Sequence, residues 1–397
     1  MTTDTDRTIS TGSETAAGHP RWLSLPELRL RRSYKWRAHP ADVLPTFVAE
    51  MDVSLSEPIA RALHDAVTRG DTGYAIPDPE LTEAVAGFHA ARFGWRFDPA
   101  HMTIIPDVLS GVVEILRRAV PRGSGVVINT PVYPPFFSHI RRAGCRVVEA
   151  PLARSGSAYE LDLDAVEAAF AAGAPAYLLC NPHNPTGLVL SNEELRRIAE
   201  LSEQYRVLVL ADEIHAPLTL EGARHVPYLS LPEARPRGIA LVSASKAWNL
   251  PGLKCAQVVT ASAPMRVLTA GLPEDLAYGA GLLGVIASTA AYRDGGPWLD
   301  ELLLMIDENR RLLADLLAQR LPEVVCAPPR ATYLAWLDCT GLGLPGDPAK
   351  VFLEKGRVAL RAGPDFGATG SGWVRLAIAT APEILTEIVD RMASVRG

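Results

Sequence analysis

The sequence predicts an α/β fold, in which helices cover both faces of a mostly parallel sheet and a smaller α+β domain follows. Short, almost continuous apolar segments alternate with helical stretches through the middle of the chain, which is typical of sheets buried on both faces. After about residue 290 this alternation stops, and a long helical stretch and two separate strands follow. At 397 residues the chain also exceeds one typical hydrophobic core, which favours two domains.

The predicted strands of the main sheet follow one another in chain order. They are residues 125–129, 146–148, 176–180, 207–210, 239–242 and 257–259. A helix is predicted to begin after Ser191, because Ser191 and Glu194 have the spacing of a capping box and a helical stripe of apolar residues follows. Ligands of such sheets bind beyond the carboxyl ends of the strands, so the residues just after these strands are the candidates for a site.

The tail predicts a helix from Trp298 to about Leu321 and strands at 333–337 and 374–378. An uncharged stretch, 276–292, is near the lower length limit for a membrane span. It contains three glycines, and we predict that it is a buried helix. The first twenty residues have no apolar core, which predicts a disordered leader and no secretory signal.

The composition argues against several classes of protein. Hydrophobic residues make up 48% and charged residues 21%, which is typical of a soluble globular protein. The net charge of -6 and the lack of a dense basic cluster argue against a nucleic-acid binder. The five cysteines are scattered without a CxxC pair, so we predict a cytoplasmic protein whose cysteines are mostly core residues.

Lys246 is the residue that indicates chemistry most directly. The chain has only five lysines and takes its basic charge almost wholly from arginine. Lysine can lose its proton and form a Schiff base, whereas a guanidinium cannot. Because Lys246 follows the predicted strand 239–242, it lies where an α/β enzyme would hold pyridoxal 5′-phosphate (PLP).

Polar residues follow three consecutive predicted strands, in the segments 181–187, 212–215 and 243–246. Taken singly, each is ambiguous, because a strand-end aspartate more often caps a turn than catalyses and Asn-Pro pairs are ordinary turn formers. Together they suit PLP, which needs an amine, an acid at its ring nitrogen and donors for its ring oxygen. Asp212 suits the ring nitrogen and Asn184 suits the ring oxygen.

The phosphate of such a cofactor would lie at a helix amino terminus, where free N–H groups and the helix dipole favour an anion. The stretch 108–116, beginning with Val108 and Leu109, predicts such a helix. Further phosphate contacts are predicted from Ser243, Ser245 and Lys254. Tyr133 is predicted to stack on the ring of the cofactor.

Three motifs carry a resemblance to a known family. They are Asn-Pro-His-Asn-Pro-Thr-Gly at 181–187, Ala-Asp-Glu-Ile-His at 211–215 and Ser-Ala-Ser-Lys-Ala-Trp-Asn-Leu-Pro-Gly-Leu-Lys at 243–254. In this order they resemble the class I/II aminotransferase superfamily. The stretches 34–52, 72–74, 290–299 and 374–376 are similar to its branch of cystathionine β-lyase-type C–S lyases (MalY/PatB-like). The resemblance covers roughly residues 33 to 395.

The resemblance implies the PLP fold type I, with a seven-stranded, mostly parallel sheet between helices. It implies a large PLP-binding domain at 56–290 and a small domain at 291–397. A segment at 26–55 would join the small domain, after a leader at 1–25. Since Tyr74 would reach the phosphate of a neighbouring subunit, the active unit would be a homodimer.

The resemblance also implies roles for individual residues. Lys246 would form the Schiff base and move protons, while Asp212, Asn184 and Tyr133 would contact the ring. The substrate α-carboxylate would lie on Arg375, a planar bidentate donor, with Ala49 and Asn184 nearby. His215, beside Asp212, is a candidate for the cofactor site, although a packing role is favoured for it.

Two positions depart from the pattern of the family. Asp107 stands where a glycine is common in the turn before the phosphate helix, and an acid near a phosphate is unfavourable unless it points away or contacts substrate. Ala377 stands where asparagine is common. We expect the substrate side group to be bound by Phe136, Trp248, Tyr278 and the segment near Met51.

The expected reaction is cleavage of an S-substituted cysteine to a thiol, pyruvate and ammonia by a PLP-dependent C–S β-lyase. The arginine-rich, alanine-rich composition suggests an actinobacterium-like source, in which this branch includes tailoring enzymes of antibiotic biosynthesis that act on S-cysteinyl conjugates. Decarboxylation-coupled oxidative deamination, as in lincosamide-type pathways, and plain transamination stay open. A purely regulatory, protein-binding role is disfavoured, because association needs none of the four residues Asn184, Asp212, Lys246 and Arg375.

Overall fold

The computed structural model describes residues 18–76 and 78–396. Its strands, in chain order, are β1 (Leu44–Pro45), β2 (Met102–Ile105), β3 (Gly125–Ile128), β4 (Arg146–Glu149), β5 (Ala153–Ser155), β6 (Ala158–Glu160), β7 (Ala176–Cys180), β8 (Leu208–Asp212), β9 (Gly238–Val242), β10 (Ala256–Thr260), β11 (Val325–Cys326), β12 (Leu334–Asp338), β13 (Val358–Ala359), β14 (Arg361–Ala362) and β15 (Trp373–Ala377).

The helices, numbered in the same way, are α1 (Leu25–Leu30), α2 (Tyr34–Arg37), α3 (Glu57–Thr68), α4 (Pro79–Phe93), α5 (Val108–Ala119), α6 (Pro135–Arg142), α7 (Leu163–Ala171), α8 (Asn192–Tyr205), α9 (Ala263–Ala270), α10 (Glu274–Tyr278), α11 (Leu282–Asp294), α12 (Gly296–Arg320), α13 (Pro348–Glu354) and α14 (Pro382–Ala393). The predicted capping box of α8 is present, since Ser191 and Glu194 hydrogen-bond each other's backbone.

The main sheet has seven strands in the order β2-β10-β9-β8-β7-β3-β4. Its strands pair in parallel, except that β10 runs antiparallel to both β2 and β9. The predicted mostly parallel, seven-stranded sheet is therefore confirmed. Because β7, β8 and β9 are parallel neighbours, the segments that follow them meet at one edge of the sheet.

Both faces of this sheet are buried. Along β8, Val209 and Ala211 pack into one hydrophobic cluster while Leu208 and Leu210 pack into another. Side chains alternate between the two faces of a strand, so a strand covered on both sides needs apolar residues at every position. This is why the sheet strands read as nearly continuous apolar runs.

A second sheet, with the order β11-β12-β15-β14, is antiparallel and lies in the carboxyl-terminal part of the chain. The amino-terminal segment joins this region through β1, which pairs in parallel with β13, Leu44 opposite Val358. Residues 1–17 of the predicted leader lie outside the described residues. Trp22 forms a bridge with Val53, so the chain is already packed before α1 begins.

The predicted single helix over 276–292 is wrong, because two helices occupy this stretch. α10 ends at Tyr278 and α11 begins at Leu282. Between them the amide of Gly281 donates to the Lys254 carbonyl, and a Cβ at Gly284 would lie 2.1 Å from the Leu253 carbonyl oxygen. The glycines thus permit close packing against the loop that follows Lys246. No helix within the described ranges is long and apolar enough to cross a membrane.

Candidate active site

The predicted strand-end residues meet in one cavity of about 310 Å³. Its volume lies within the range of small-molecule sites. Its lining includes the side chains that the sequence singled out from distant segments: Ala49, Asp107, Val108, Leu109, Tyr133, Asn184, Asp212, His215, Ser243, Ser245, Lys246 and Lys254. A larger groove of about 1000 Å³, between the β5–β6 hairpin and the loop after Gly222, contains none of them.

Asp212, the last residue of β8, is a buried carboxylate that accepts a hydrogen bond from the Ile214 amide at 3.1 Å. Burial raises its pKa to about 7, although that hydrogen bond and the charge of Lys246 work in the opposite direction. Desolvation of this kind disfavours the charged form of an acid unless a cation lies close by. A protonated ring nitrogen is a cation of suitable shape for this position.

Lys246 lies in the turn after β9, and its Nζ donates to the Ala49 carbonyl at 2.9 Å. Burial, with a smaller contribution from the nearby Arg375 charge, lowers its pKa to about 8 against the opposing charges of Asp212 and Glu50. A lysine with such a pKa has a substantial neutral fraction near neutral pH, which is the form that acts as a nucleophile or a base.

Arg375, on β15, approaches the cavity from the second sheet and is 3% exposed. Its Nη1 donates to the Asn184 side-chain oxygen at 3.1 Å and its Nη2 to the Phe47 carbonyl at 2.8 Å. Burial lowers its pKa to about 10. Since both partners are neutral oxygens, a carboxylate would compensate this buried cation better than they do.

The amino terminus of α5 lines the cavity, and its free N–H groups and helix dipole favour a phosphate there. Asp107 is its N-cap and accepts from the Ser110 amide at 2.8 Å, while Lys254 Nζ lies 3.3 Å from the other Asp107 oxygen. Although burial works to raise the pKa of Asp107, these contacts lower it below its ordinary value. The departure from glycine is therefore explained by a helix cap that is paired with a lysine.

The serines after β9 are not equivalent. The Ser243 hydroxyl donates to the Cys255 carbonyl at 2.7 Å and accepts from the Ser245 amide at 3.1 Å, so it holds the turn. Ser245 lies at the cavity with its hydroxyl 3.0 Å from that of Ser243. Of the two, Ser245 is the better candidate for a phosphate contact.

Tyr133 and His215 also border the cavity. Burial raises the pKa of Tyr133, and Phe136 supports its ring edge-on, with 5.8 Å between the ring centroids. His215 is buried, its pKa is held well below the ordinary value, and its ring faces that of Tyr333. A neutral, buried imidazole at the cavity wall agrees with packing, the role that the sequence favoured.

The expected substrate-pocket residues are mostly placed elsewhere. Phe136 and Trp248 are fully buried, and the Trp248 indole donates to the Gly295 carbonyl at 3.0 Å. Met51 is also fully buried, whereas Tyr278 is 53% exposed beside Tyr74. The expectation was wrong for Phe136 and Trp248, because aromatic size and chain position do not tell which way a side chain points.

Residues 44–53 form a segment, here called the strap, whose Ala49 lines the cavity. Its Ala49 carbonyl accepts from Lys246 and from the Tyr333 hydroxyl at 3.0 Å. Asn249 clamps it with two bonds to Met51, accepting from the amide and donating to the carbonyl, each at 2.9 Å. Asn249 has a φ of 57°, in the left-handed region that asparagine tolerates better than most residues.

A buried ion pair anchors the strap. Lys35 Nζ lies 2.7 Å from an Asp52 oxygen and 3.1 Å from the Glu50 carbonyl, and the Trp36 indole donates to the other Asp52 oxygen at 2.9 Å. Both Lys35 and Asp52 are 1% exposed. Sequence reasoning missed Asn249 and this ion pair. Lys35 could have been found by the same signal as Lys246, since both are among the only five lysines of the chain.

Two further predicted residues lie at the edges of this arrangement. Ala377 shares a face of β15 with Arg375, and its amide donates to the Thr46 hydroxyl at 2.7 Å, so it holds the strap from the second sheet. Tyr74 is 86% exposed and is absent from the described lining of this chain's cavity. Within residues 18–76 and 78–396, no cluster of His, Cys, Asp or Glu suits a metal ion.

The chain is similar to known proteins along most of its length. The family model described as aminotransferase class I and II matches residues 49–392. A Mycobacterium tuberculosis protein, provisionally named as a cystathionine β-lyase, is 47% identical over 398 residues and covers 94% of this chain and 96% of its own.

Solved structures agree with the sequence relatives. A candidate PLP-dependent β-cystathionase from Corynebacterium diphtheriae is 36% identical, with a TM-score of 0.90 over 94% of this chain and 98% of that one. A PLP-bound C–S lyase from Staphylococcus hominis is 25% identical, with a TM-score of 0.85 over 92% and 95%. Both resemble the chain over nearly its whole length.

Proposed function

Because the chain belongs to the aminotransferase class I and II family, we propose that it is a PLP-dependent C–S β-lyase. Its reaction would cleave an S-substituted cysteine to a thiol, pyruvate and ammonia. The observation that carries this proposal is that Lys246, Asp212 and Asn184 line one cavity while Arg375 donates a hydrogen bond to Asn184 at its wall. The names of the similar proteins, β-cystathionase and C–S lyase, support elimination at a carbon–sulfur bond.

The residues fit PLP on grounds of their own chemistry. Asp212 is a buried acid with a raised pKa, which a cation would reverse. Val108 and Leu109 begin a helix at the cavity, and Ser245 and Lys254 lie beside it, as a phosphate would require. PLP, when bound, withdraws electrons from the α-carbon of an amino acid attached to it.

Lys246 has two roles in the proposal. Its Nζ would hold the cofactor covalently when no substrate is bound, and its free amine would accept the α-proton of a bound substrate. Its pKa of about 8 provides enough of the neutral amine near neutral pH for both roles. The Ala49 carbonyl, 2.9 Å away, keeps this flexible side chain at the cavity.

Arg375 binds the substrate α-carboxylate. Its guanidinium exchanges the Phe47 carbonyl, and in part the Asn184 oxygen, for the two oxygens of the substrate. Once the α-proton is on Lys246, the electron pair of the Cβ–S bond leaves with sulfur, which takes up a proton. Water then converts the remaining three-carbon fragment to pyruvate and ammonia.

We also propose a homodimer in which Tyr74 reaches the phosphate of the neighbouring site. Tyr74 lies against Tyr278 with 6.3 Å between ring centroids, and Ile76 beside it is 70% exposed. Such a cluster of exposed large side chains suits a surface covered by another subunit. Sedimentation of the purified protein should give the mass of two chains, and Tyr74→Ala should weaken PLP binding.

The test of the lyase reaction uses purified, PLP-loaded protein and S-alkyl cysteines, cystathionine and bulkier S-cysteinyl conjugates. Pyruvate and free thiol should form in equal amounts, without an added 2-oxo acid. Aldehyde and carbon dioxide with oxygen uptake would instead indicate oxidative deamination, and dependence on a 2-oxo acid would indicate transamination. A preference for bulky conjugates over cystathionine would favour the tailoring role in antibiotic biosynthesis that the sequence suggests, and the reverse preference would argue against it.

A further inference from the structure

A second arginine stands beside Arg375 on the second sheet. β14 and β15 are antiparallel, and Arg361 is directly opposite Arg375 in their register. Side chains of directly opposed residues project from the same face of a sheet, with their Cβ atoms about 5 Å apart. Arg361 therefore starts on the same face as Arg375, the face from which Arg375 reaches Asn184 at the cavity wall, one strand further out.

The charge of Arg361 acts on the site itself. Burial is the main cause of the lowered pKa of Arg375, and Arg361 lowers it further. Burial raises the pKa of Tyr133, while the charges of Arg375 and Arg361 work against that rise. Arg361 thus lies near both the residue proposed to bind the α-carboxylate and the residue proposed to stack on the ring.

Unlike Arg375, Arg361 is open to solvent and loosely held. Its side chain is 40% exposed, and its Nε lies 2.7 Å from Asp365, which is itself 43% exposed. Exposed ion pairs of this kind contribute little to stability, so the guanidinium can leave Asp365 for another anion at small cost. The positive charge of Arg361 repels that of Arg375, and an anion bound near both guanidinium groups would reduce this repulsion.

We propose that Arg361 is a specificity residue that binds a carboxylate at the far end of the sulfur substituent. The two arginines would bind the two ends of one elongated substrate, with the α-carboxylate on Arg375 and the distal carboxylate on Arg361. The preferred substrates are then S-substituted cysteines that end in a carboxylate, and neutral S-alkyl cysteines are poorer. This inference rests on the proposed lyase function and adds the class of its substrate.

The test compares two substrates that differ only in the distal group, S-(2-carboxyethyl)cysteine and S-propylcysteine, with PLP-loaded enzyme. Arg361→Gln should raise KM for the carboxyethyl substrate about tenfold, the loss expected for one charge-assisted hydrogen bond, with little change in kcat. KM for the propyl substrate should stay the same. Arg361→Lys should recover part of the loss, and Asp365→Asn should lower KM for the carboxyethyl substrate.

Arg357→Gln is the matched control. Arg357 is also 40% exposed and also lies 2.7 Å from a carboxylate, that of Asp42, but it precedes β13 and is outside the β14–β15 pairing that sets Arg361 opposite Arg375. It should leave both KM values unchanged. Equal losses for both substrates in Arg361→Gln, or no loss for either, would overturn the inference.

Failure of the lyase proposal would be recognised separately. If wild-type enzyme released no pyruvate from either compound, the lyase proposal would fall. The role of Arg361 would then be decided by the dissociation constants of the same two compounds, measured by titration calorimetry on wild-type and Arg361→Gln holoenzyme. A tenfold weakening confined to the carboxyethyl compound supports it, and equal binding of both compounds by both proteins rejects it.

Discussion

The two sides of the cavity are built in different ways. On the side of the cofactor, Asn184, Asp212 and Lys246 follow three neighbouring parallel strands, so the sheet alone brings them together. On the side of the substrate carboxylate, the strap and Arg375 come from opposite ends of the chain and are joined by the hydrogen bond that Arg375 donates to the Phe47 carbonyl. The cofactor side thus follows from a continuous sheet, whereas the carboxylate side depends on contacts that a substrate must replace.

The largest expected effect is on the cofactor side. Lys246→Ala should lower kcat by about a thousandfold or more, because both the covalent link and the proton acceptor are lost. Pyruvate release from S-propylcysteine measures it. Lys350→Ala, which removes a 72% exposed lysine, is the control and should keep full activity. Residual activity near that of wild type in Lys246→Ala would remove the basis for the proposed mechanism.

On the carboxylate side, the largest expected effect is on stability. Lys35→Met leaves the Asp52 carboxylate buried without its cation, which should cost about 3 kcal/mol of the free energy of unfolding. Urea denaturation measures it. The exposed pair of Arg61 with Glu57 provides the comparison, since Arg61→Ala should cost less than about 1 kcal/mol. Similar costs for the two variants would mean that the strap is not anchored by Lys35.

A smaller effect should separate binding from chemistry. Asn249→Ala removes both hydrogen bonds to Met51 and loosens the strap, so KM should rise about tenfold while kcat changes little. Steady-state kinetics measure the split. Asn249→Asp keeps the bond from the Met51 amide and should lie between Asn249→Ala and wild type. A large fall in kcat at constant KM would instead place Asn249 with the chemistry of Lys246.

The smallest expected effect, counted per pH unit, is the dependence of stability on pH in cofactor-free protein. Asp212 has its pKa raised from 3.8 to about 7, so the folded protein retains a proton that the unfolded chain releases, and the free energy of unfolding falls as pH rises through that window. Lys246 has its pKa lowered from 10.5 to about 8, so the free energy rises with pH between those values.

The slope for each group is at most about 1.4 kcal/mol per pH unit. Urea denaturation at a series of pH values measures both limbs. Asp212→Asn should abolish the fall and, because the Asp212 charge holds the Lys246 pKa up, should move the start of the rise to lower pH. Lys246→Ala should abolish the rise and, because the Lys246 charge holds the Asp212 pKa down, should extend the fall to higher pH. Curves that coincide with that of wild type would show that other groups control the pH dependence.

Sequence reasoning succeeded where one local rule decides position. Nearly continuous apolar runs identified the sheet strands, and the rule that ligands lie beyond strand ends then brought Asp212 and Lys246 together. It failed where the role of a side chain depends on the direction in which it points or on a partner far away in the chain. The Trp248 indole donates to the Gly295 carbonyl and so points away from the cavity side expected for it. Asn249 binds Met51 in the strap, almost 200 residues earlier. The sequence marked Asp107 as a departure from the family's glycine. Its role as a helix cap paired with Lys254 could not be predicted, because Lys254 is distant in the chain.

The pairing of β1 with β13 has a consequence for the order of synthesis. Leu44 leaves the ribosome about 300 residues before Val358, its partner. Domains generally fold as units during translation, so the main sheet can form while the strap still lacks Tyr333, β13 and Arg375. A chain interrupted before those residues would therefore hold the cofactor-side residues without a place for the substrate carboxylate, and the enzyme becomes competent only near the end of its own synthesis.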